Sequence, residues 1–289
     1  MIKVKLKRSQ KLQEEKIRLL QKFKQELDKY KEYFWVFFDT ETTGKKTATE
    51  QITEFAAIAV DANFSQTDQP AIYDSLHKKI FLRTGMEITT SKENPMDMSR
   101  AEIASMTRSG APRNPKKAMR KGVQPFKKEN FAEEKELCVL LDNFLKNLEN
   151  TKKVVLVAHN ARFDISFVKD AFKRNGLGDF KYPVIDTVKL ARDFYVPLLR
   201  AGKEKELVSI YDKLFNQTEI DLIMKGDLSK RLAVLAGVLE IDATGWHSAI
   251  KDVQMLINVT KAMVSQIEKY GSAYDLEDKI KPRYNYGTR

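Results

Sequence analysis

The chain has 289 residues, of which 42% are hydrophobic and 31% charged, and its only cysteine is Cys138. A chain of this length can bury a core that needs no covalent staples. A single cysteine excludes an internal disulfide and a metal site built from several thiolates, so any metal must be held by carboxylates and histidines. No apolar run approaches the roughly 20 residues of a membrane span, and no apolar signal core follows the first lysines. We therefore predict a cytoplasmic protein that does not associate with membranes.

Basic residues are concentrated in two segments. Residues 1–31 contain 11 Lys or Arg and 4 Asp or Glu, and residues 108–128 contain 8 Lys or Arg and no acid. Since these segments carry +7 and +8 of a total of +11, the rest of the chain has a net charge of −4. This distribution suits an enzyme that gathers divalent cations in one place and a polyanion in another. The alternative is that both segments are merely solvated surfaces.

The first part of the chain predicts a charged helix followed by strands. Residues 5–31 place apolar side chains at helical spacing between Lys and Glu. This helix could pack on the body, pair with a partner helix or lie along nucleic acid, and packing is favoured. The apolar run at 33–38 predicts a buried strand, with further strands at 52–60 and 79–83 and a turn at 43–46.

The remainder predicts two more strands among helices. Residues 154–158 and 184–185 are short apolar segments of the kind found in buried strands. The helix after 154–158 has Asn160 as its predicted N-cap and ends near Gly176. The other predicted helices cover 99–107, 132–148, 187–199, 204–223, 228–239 and 249–269.

This order of elements indicates an α/β fold in which helices flank a mixed sheet of about five strands. We predict a basic helical N-terminal extension at 1–32 and a main domain at 33–270. The main domain contains a long basic loop at 108–128, rich in Gly and Pro. Residues 271–289 are predicted to form a flexible polar tail.

The first motif with chemical content is Phe38-Asp39-Thr40-Glu41-Thr42-Thr43-Gly44. Residues two apart on a strand point the same way, so Asp39 and Glu41 share a face at the end of a very apolar strand. Their charges would repel each other unless a cation lies between them. A divalent cation with oxygen ligands would provide that charge, and a solvated strand end is the alternative.

The second motif is His159-Asn160-Ala161-Arg162-Phe163-Asp164. A buried strand leads here into a helix whose first turn carries Asp164. Asp164 could serve the site or merely favour the helix dipole. We interpret His159 as a core histidine at a strand end.

The third motif is Trp246-His247-Ser248-Ala249-Ile250-Lys251-Asp252. His247 lies just before the predicted helix cap, Ser248. Asp252 lies about one turn into the helix, at the edge of its apolar face, where it can face a cleft. Taken alone, this pair could equally be a surface histidine and a surface aspartate.

Together the three motifs indicate a two-metal hydrolase. Four carboxylates could hold two cations about 4 Å apart, which would clamp the attacking and leaving oxygens of a phosphodiester, and a loop histidine completes the set. His247 could act as general base, because the pKa of a histidine lies near neutrality. No serine or cysteine nucleophile is needed.

These three motifs resemble the exonuclease motifs of the DEDDh superfamily of 3′→5′ exonucleases. The nearest resemblance is to the proofreading exonuclease of bacterial replicative polymerases, while RNase T and oligoribonuclease represent the RNA side of the group. Segment 52–58 also resembles the second strand of that group, and segment 185–192 resembles one common in its bacterial proofreading members. The similarity covers about residues 34–265. The domain at 33–270 is then an exonuclease domain with a ribonuclease H-like fold.

The resemblance also implies roles for individual residues. It implies that Asp39, Glu41 and Asp252 bind one Mg²⁺ or Mn²⁺ directly, that Asp39 bridges to a second ion, and that Asp164 acts largely through water. It implies that His247 is catalytic. The residues expected to contact the terminal nucleotide are Thr40, Thr42, Phe55, Asn160 and Phe163. Asp186 either lies near the site or is a structural turn residue.

The basic segments look like additions to a catalytic core, as does the stretch around 202–226. We expect residues 1–31 and the loop 108–128 to hold the phosphate backbone without reading sequence. The loop residues assigned to this contact are Lys116, Lys117, Arg120 and Lys121.

Three functions remain open from the sequence. Single-stranded DNA with a 3′ end is the favoured substrate, for proofreading, repair or DNA degradation. An RNA exonuclease would use the same residues and differ in recognition of the 2′-OH. A silent module that docks to a polymerase or repair complex is the third, and intact signature residues argue against it.

Overall fold

A computed structural model describes residues 17–66, 70–82, 131–195 and 248–280, with isolated positions at 14, 232, 235, 236, 239, 241 and 242. The predicted helices at 99–107 and 204–223 and the basic loop at 108–128 lie outside the described residues, as does most of 228–239.

The strands, in chain order, are β1 (Phe34–Thr42), β2 (Ile52–Asp61), β3 (Ile72–Ile80), β4 (Phe131–Ala132), β5 (Val154–Ala158) and β6 (Val184–Asp186). They form one six-stranded sheet in the order β4-β3-β2-β1-β5-β6. β1, β2 and β3 are antiparallel neighbours. The pairs β3–β4, β1–β5 and β5–β6 are parallel. The predicted α/β class with a mixed sheet is confirmed.

The structure refines two details of the predicted sheet. Among the described residues it has six strands where about five were expected, and the additional strand, β4, has only two residues, too short a pattern to detect. The third strand was expected at 79–83 but runs from Ile72 to Ile80. Its first half lacks an apolar pattern because it is exposed, with Ile72 at 61% and Tyr73 at 55%.

The helices are α1 (17–28), α2 (Glu134–Glu149), α3 (Ala161–Arg174), α4 (Thr187–Leu190) and α5 (Ala249–Ile280). A 3-10 turn covers Ala62–Gln66, and π-helical residues Ala191–Tyr195 follow α4. No helix among these is long and apolar enough to cross a membrane.

The last helix is longer than predicted. α5 continues past 269 to Ile280, so the predicted tail at 271–289 is helical over its first part. A single glycine, Gly271, costs a helix only about 1 kcal/mol and does not stop it. Within the described residues the helix extends to Ile280.

The sheet separates two apolar layers, because alternate residues of β1 point to opposite faces. On one face, Phe38 and Phe55 pack with Leu141 of α2 and Phe167 of α3. On the other face, side chains of β1 and β2 pack with the apolar stripe of α5. That layer contains Trp35, Phe37, Ile58, Val253, Leu256 and Ile257.

A third cluster attaches the N-terminal helix to the body. Phe23 of α1 is buried with Tyr195 and with Val259 and Met263 of α5. Its ring also meets that of Phe194 edge-on, with centroids 5.4 Å apart. The described part of the N-terminal helix therefore packs on the body, which is the arrangement favoured by its apolar spacing.

Candidate active site

Three predicted carboxylates meet where β1 ends beside the first turn of α5. Asp39 and Glu41 continue the face of β1 that carries Trp35 and Phe37, and this face packs on α5. Asp252 lies in the first turn of α5. One carboxylate oxygen from each of these three residues lies within 4.8 Å of the other two. The structure therefore brings together residues that are up to 213 positions apart in the chain.

Asp164 reaches the same strand end from the opposite face of the sheet. It lies in the first turn of α3 and is only 3% exposed. Its Oδ1 accepts hydrogen bonds from the backbone N–H of Thr40 at 3.1 Å and from the Thr40 hydroxyl at 2.7 Å. Because Thr40 lies between Asp39 and Glu41, these bonds hold Asp164 against the strand that carries two of the other carboxylates.

Negative charge is confined here in a poorly solvated place. Burial raises the pKa of Asp39 well above its usual range, and the charges of Asp164, Glu41 and Asp252 raise it further. Burial, followed by Asp252 and Glu54, raises the pKa of Glu41 to about 8. Burial also raises the pKa of Asp164 to about 7, against the opposing effect of the Thr40 hydrogen bonds. A cation among these groups would favour their charged forms.

The donor set fits a hard divalent cation. Asp39, Glu41 and Asp252 offer converging carboxylate oxygens, which Mg²⁺ and Mn²⁺ prefer over nitrogen or sulfur ligands. Their mutual repulsion gives a physical reason for the cation, since without one they can ionise only at an electrostatic cost.

The start of α5 is described from Ser248 onward, and the predicted general base His247 lies outside the described residues. The carbonyl of Ser248 accepts hydrogen bonds from Lys251 N and Asp252 N, both at 2.9 Å. Ser248 therefore occupies the N-cap position, as predicted. Its hydroxyl donates to Glu54 Oε1 at 3.1 Å.

Glu54 is a site neighbour to which the sequence interpretation gave no role. It is 7% exposed on β2 and pairs in register with Glu41. Its Oε1 also contacts His77 Nε2 of β3 at 2.7 Å. An acid in the interior of the apolar strand Ile52–Asp61 could have marked it, because buried charges are rare without partners.

The residues expected to contact the terminal nucleotide occupy different environments. Thr40 is buried at 6% exposure with its hydroxyl bonded to Asp164, and the Thr42 hydroxyl donates to Gly44 O at 2.7 Å. Phe55 is 1% exposed and stacks on Phe38 with centroids 6.1 Å apart. A nucleotide could touch Phe55 only if this ring became exposed. The substrate contacts of these residues stay predictions.

The two other expected contacts lie at the start of α3. Asn160 is exposed in the left-handed backbone region, with φ of 63°, and its side chain makes no cap hydrogen bond. It therefore occupies the predicted N-cap position without capping through its side chain. Phe163 is half-buried, with its ring 5.0 Å from that of Phe167. Both lie on the first part of the helix that carries Asp164.

His159 and Asp186 have structural partners. Burial lowers the pKa of His159 to about 4, against a smaller effect from Asp186, and its Nδ1 lies 3.0 Å from Thr187 Oγ1. Asp186 Oδ1 accepts from the backbone N–H groups of Asn160 at 3.1 Å and Val188 at 3.0 Å. These contacts agree with a core histidine and a structural turn acid. The basic loop residues Lys116, Lys117, Arg120 and Lys121 lie outside the described residues.

The sequence is similar to a region of PolC-type DNA polymerase III. The protein from Halalkalibacterium halodurans is 38% identical over 88 residues, which is 27% of this chain and 6% of that protein. The protein from Lactococcus lactis is 43% identical over 68 residues, covering 24% and 4%. The protein from Streptococcus pyogenes is 26% identical over 160 residues, covering 51% and 11%. The chain thus spans only a small part of these relatives. No family model matches the chain.

The fold is similar to that of part of exonuclease I. The structure of E. coli exonuclease I with a dT13 oligonucleotide matches 83% of this chain and 43% of its own, with a TM-score of 0.50 and 17% identity. A product-bound exonuclease I matches 83% and 46%, again with a TM-score of 0.50 and 17% identity. The chain spans less than half of these structures. The shared fold and the polymerase similarity confirm the predicted resemblance to the DEDDh exonucleases.

Proposed function

We propose that the protein is a metal-dependent 3′→5′ exonuclease that releases nucleoside monophosphates from single-stranded DNA. The observation that carries this proposal is the convergence of Asp39, Glu41 and Asp252 within 4.8 Å. Asp164 is held at the same strand end through Thr40. Such a half-buried cluster of like charges costs folding energy, and metal-assisted phosphodiester hydrolysis is the function that gives it a use.

The proposal assigns each residue a role. Asp39, Glu41 and Asp252 would hold the metal, and Asp164 would complete the set for a second ion. Two divalent cations, when bound, lower the pKa of water and offset negative charge on the attacking and leaving oxygens. Thr40 keeps Asp164 oriented through two hydrogen bonds. His247, directly before the N-cap of α5, would accept the proton of the attacking water.

DNA is favoured over RNA because the curated relatives are DNA polymerases. The same carboxylates could serve an RNA exonuclease, which would need groups that recognise the 2′-OH. We further propose that the chain works with a polymerase or repair complex, since in those relatives the similar region belongs to a polymerase. Lys116, Lys117, Arg120 and Lys121 would hold the phosphate backbone.

The test is a time course with DNA and RNA strands of one sequence in Mg²⁺ or Mn²⁺, each labelled separately at the 5′ and the 3′ end. We expect the 5′-labelled DNA to shrink one nucleotide at a time and the 3′-labelled DNA to lose its label in the first step. EDTA should stop both. Faster shortening of RNA would select the RNA alternative. Absence of metal-dependent shortening of either polymer would contradict the enzyme and favour the docking module.

A further inference from the structure

A fifth carboxylate lies beside the metal-binding candidates without joining them. Glu54 is in the middle of a cross-strand row, with Glu41 of β1 on one side and Lys79 of β3 on the other. It lies on the α5 side of the sheet, two residues from Ala56 and four from Ile58, which pack in that layer. It is close enough that its charge helps to raise the pKa of Asp39 and Glu41.

The carboxylate of Glu54 connects three elements through one oxygen. Oε1 receives a hydrogen bond from Ser248 Oγ at 3.1 Å and lies 2.7 Å from His77 Nε2. His77 is therefore assigned a proton on Nε2, because a carboxylate can only accept. β2 is thereby tied at one atom to β3 and to the start of α5.

Ser248 links Glu54 to Asp252 of the metal-binding candidates. Its hydroxyl is bonded to the sheet, while its carbonyl accepts the backbone N–H of Asp252 at 2.9 Å. Two hydrogen bonds therefore lead from Glu54 to the backbone of a metal-binding candidate.

An acid at the position of Glu54 lowers the stability of the fold, so stability does not explain its presence. An acid directly across from Glu41 on a neighbouring strand is a like-charge pair, which destabilises a sheet. An apolar residue there would extend the core layer formed by Ala56, Ile58 and Val60. The carboxylate does what an apolar side chain cannot, since it accepts two hydrogen bonds at the edge of the acidic cluster.

We propose that Glu54 is a positioning residue that fixes the start of α5 through Ser248 and so sets the position of Asp252, with His77 holding Glu54 in place. The proposal rests on the proposed function, because the role given to Glu54 is to hold Asp252 in place at a catalytic metal site. Glu54 is distinct from the proposed ligands, which are Asp39, Glu41 and Asp252.

The experiment compares Glu54→Ala, Glu54→Gln, Ser248→Ala and His77→Phe in the full chain. Mn²⁺ binding is measured by electron paramagnetic resonance without DNA, and kcat and KM are measured on single-stranded DNA. Ser265→Ala is the matched control, because its hydroxyl also ties α5 to a neighbour, Ser65 O at 2.9 Å, away from the acidic cluster.

We expect Glu54→Ala and Ser248→Ala to weaken Mn²⁺ binding or lower kcat by on the order of 10–100-fold, as for other residues that orient metal ligands, with KM unchanged. Glu54→Gln retains an acceptor oxygen and should recover most of the loss, and His77→Phe should show a smaller loss. Ser265→Ala should match the wild type in both measurements.

Wild-type Mn²⁺ affinity and kcat in Ser248→Ala would overturn the proposal, even if Glu54→Ala does not fold. If the Glu54 and Ser248 variants differ from the wild type only in unfolding temperature, Glu54 is a structural residue and the proposal is overturned. If the wild type degrades no nucleic acid, the proposed function fails, while the Mn²⁺ measurement still decides the role of Glu54.

Discussion

The carboxylate of Asp164 is bonded to both the backbone N–H and the hydroxyl of Thr40, although 124 positions separate them in the chain. α3 and β1 approach each other from different layers, and these bonds fix the distance between them at the acidic cluster. Thr40 is thus placed to orient a carboxylate from the face of the sheet opposite to Asp39 and Glu41.

Thr40→Val should impair catalysis and stability together. The substitution keeps the shape and the N–H bond to Asp164 but removes the 2.7 Å hydroxyl bond. Loss of a hydrogen bond to a charged group costs about 1.5–3 kcal/mol of unfolding free energy, and the pKa of Asp164 should rise further. Urea unfolding and initial rates measure the two effects.

The control for that change is Thr260→Val. Thr260 is also buried, and its hydroxyl donates to Leu256 O at 2.7 Å within α5. The Thr260→Val variant should have a lower free energy of unfolding but the wild-type cleavage rate per folded molecule. Equal rates in the Thr40 and Thr260 variants would show that the Thr40 hydroxyl does not orient Asp164 for catalysis.

Without divalent metal, the stability of the fold should fall as the pH rises. The pKa of Glu41 is raised from 4.5 to about 8, so between these values the folded state holds more protons than the unfolded state. Stability then decreases with rising pH in that window. Asp164, raised from 3.8 to about 7, acts in the same direction.

Added Mg²⁺ should remove much of this decline, because a ligand that binds only the folded state stabilises it. Melting temperatures between pH 5 and pH 8, with EDTA or with Mg²⁺, measure the effect. Asp39→Asn should show a shallower decline in EDTA, since one repelling charge is gone. A melting temperature that rises over this window in EDTA would contradict the assigned pKa directions.

The Arg174–Glu134 ion pair should contribute far more to the free energy of unfolding than exposed ion pairs do. Arg174 donates to Glu134 at 2.7 Å and to Thr47 O at 2.8 Å, and the Glu134 side chain is only 8% exposed. Arg174→Met leaves that carboxylate buried without its cation, which costs about 3–5 kcal/mol. Urea unfolding measures the loss.

Lys146→Met is the comparison for this pair. Lys146 meets Asp142 at 2.6 Å, but its side chain is 65% exposed, and such pairs contribute about 0–1 kcal/mol. Equal losses of unfolding free energy in the two variants would mean that burial of Glu134 does not increase the contribution of its ion pair to stability.

Charge reversal in the basic loop tests the predicted phosphate contacts. The combined variant Lys116→Glu, Lys117→Glu, Arg120→Glu and Lys121→Glu should raise the KM for DNA and flatten its dependence on salt, because fewer counterions are released on binding. Lys135→Glu with Lys146→Glu, on the exposed face of α2, is the control. An unchanged KM at low and high salt in the loop variant would rule out the contact.

Much of this architecture could be predicted from local patterns. The aromatic run of β1 and the apolar run of β5 indicate buried strands, and the motifs place their carboxylates at the ends of these elements. β3 was misplaced because its first residues are exposed, and β4 was too short to leave a pattern.

The finer contacts of the site depend on tertiary geometry. The pairing of Glu54 with Glu41 follows from strand register, and its contact with Ser248 requires that α5 begin beside β2. The Thr40–Asp164 bonds likewise require α3 to lie across the end of β1. No periodicity in the sequence encodes these separations.

The measurement that tests the central claim most directly is the single-turnover cleavage rate of a 5′-labelled single-stranded DNA in Mg²⁺ for wild type, Asp39→Asn and Asp61→Asn. Asp61 is the matched control, because it is a carboxylate of the same sheet, at the end of β2 that lies away from the acidic cluster. Its side chain is 43% exposed and paired with Lys152. We predict that Asp39→Asn slows cleavage by roughly a thousandfold or more, about 4 kcal/mol in the barrier, while Asp61→Asn keeps the wild-type rate. Cleavage by Asp39→Asn at the wild-type rate would contradict a catalytic metal site at the meeting point of β1 and α5.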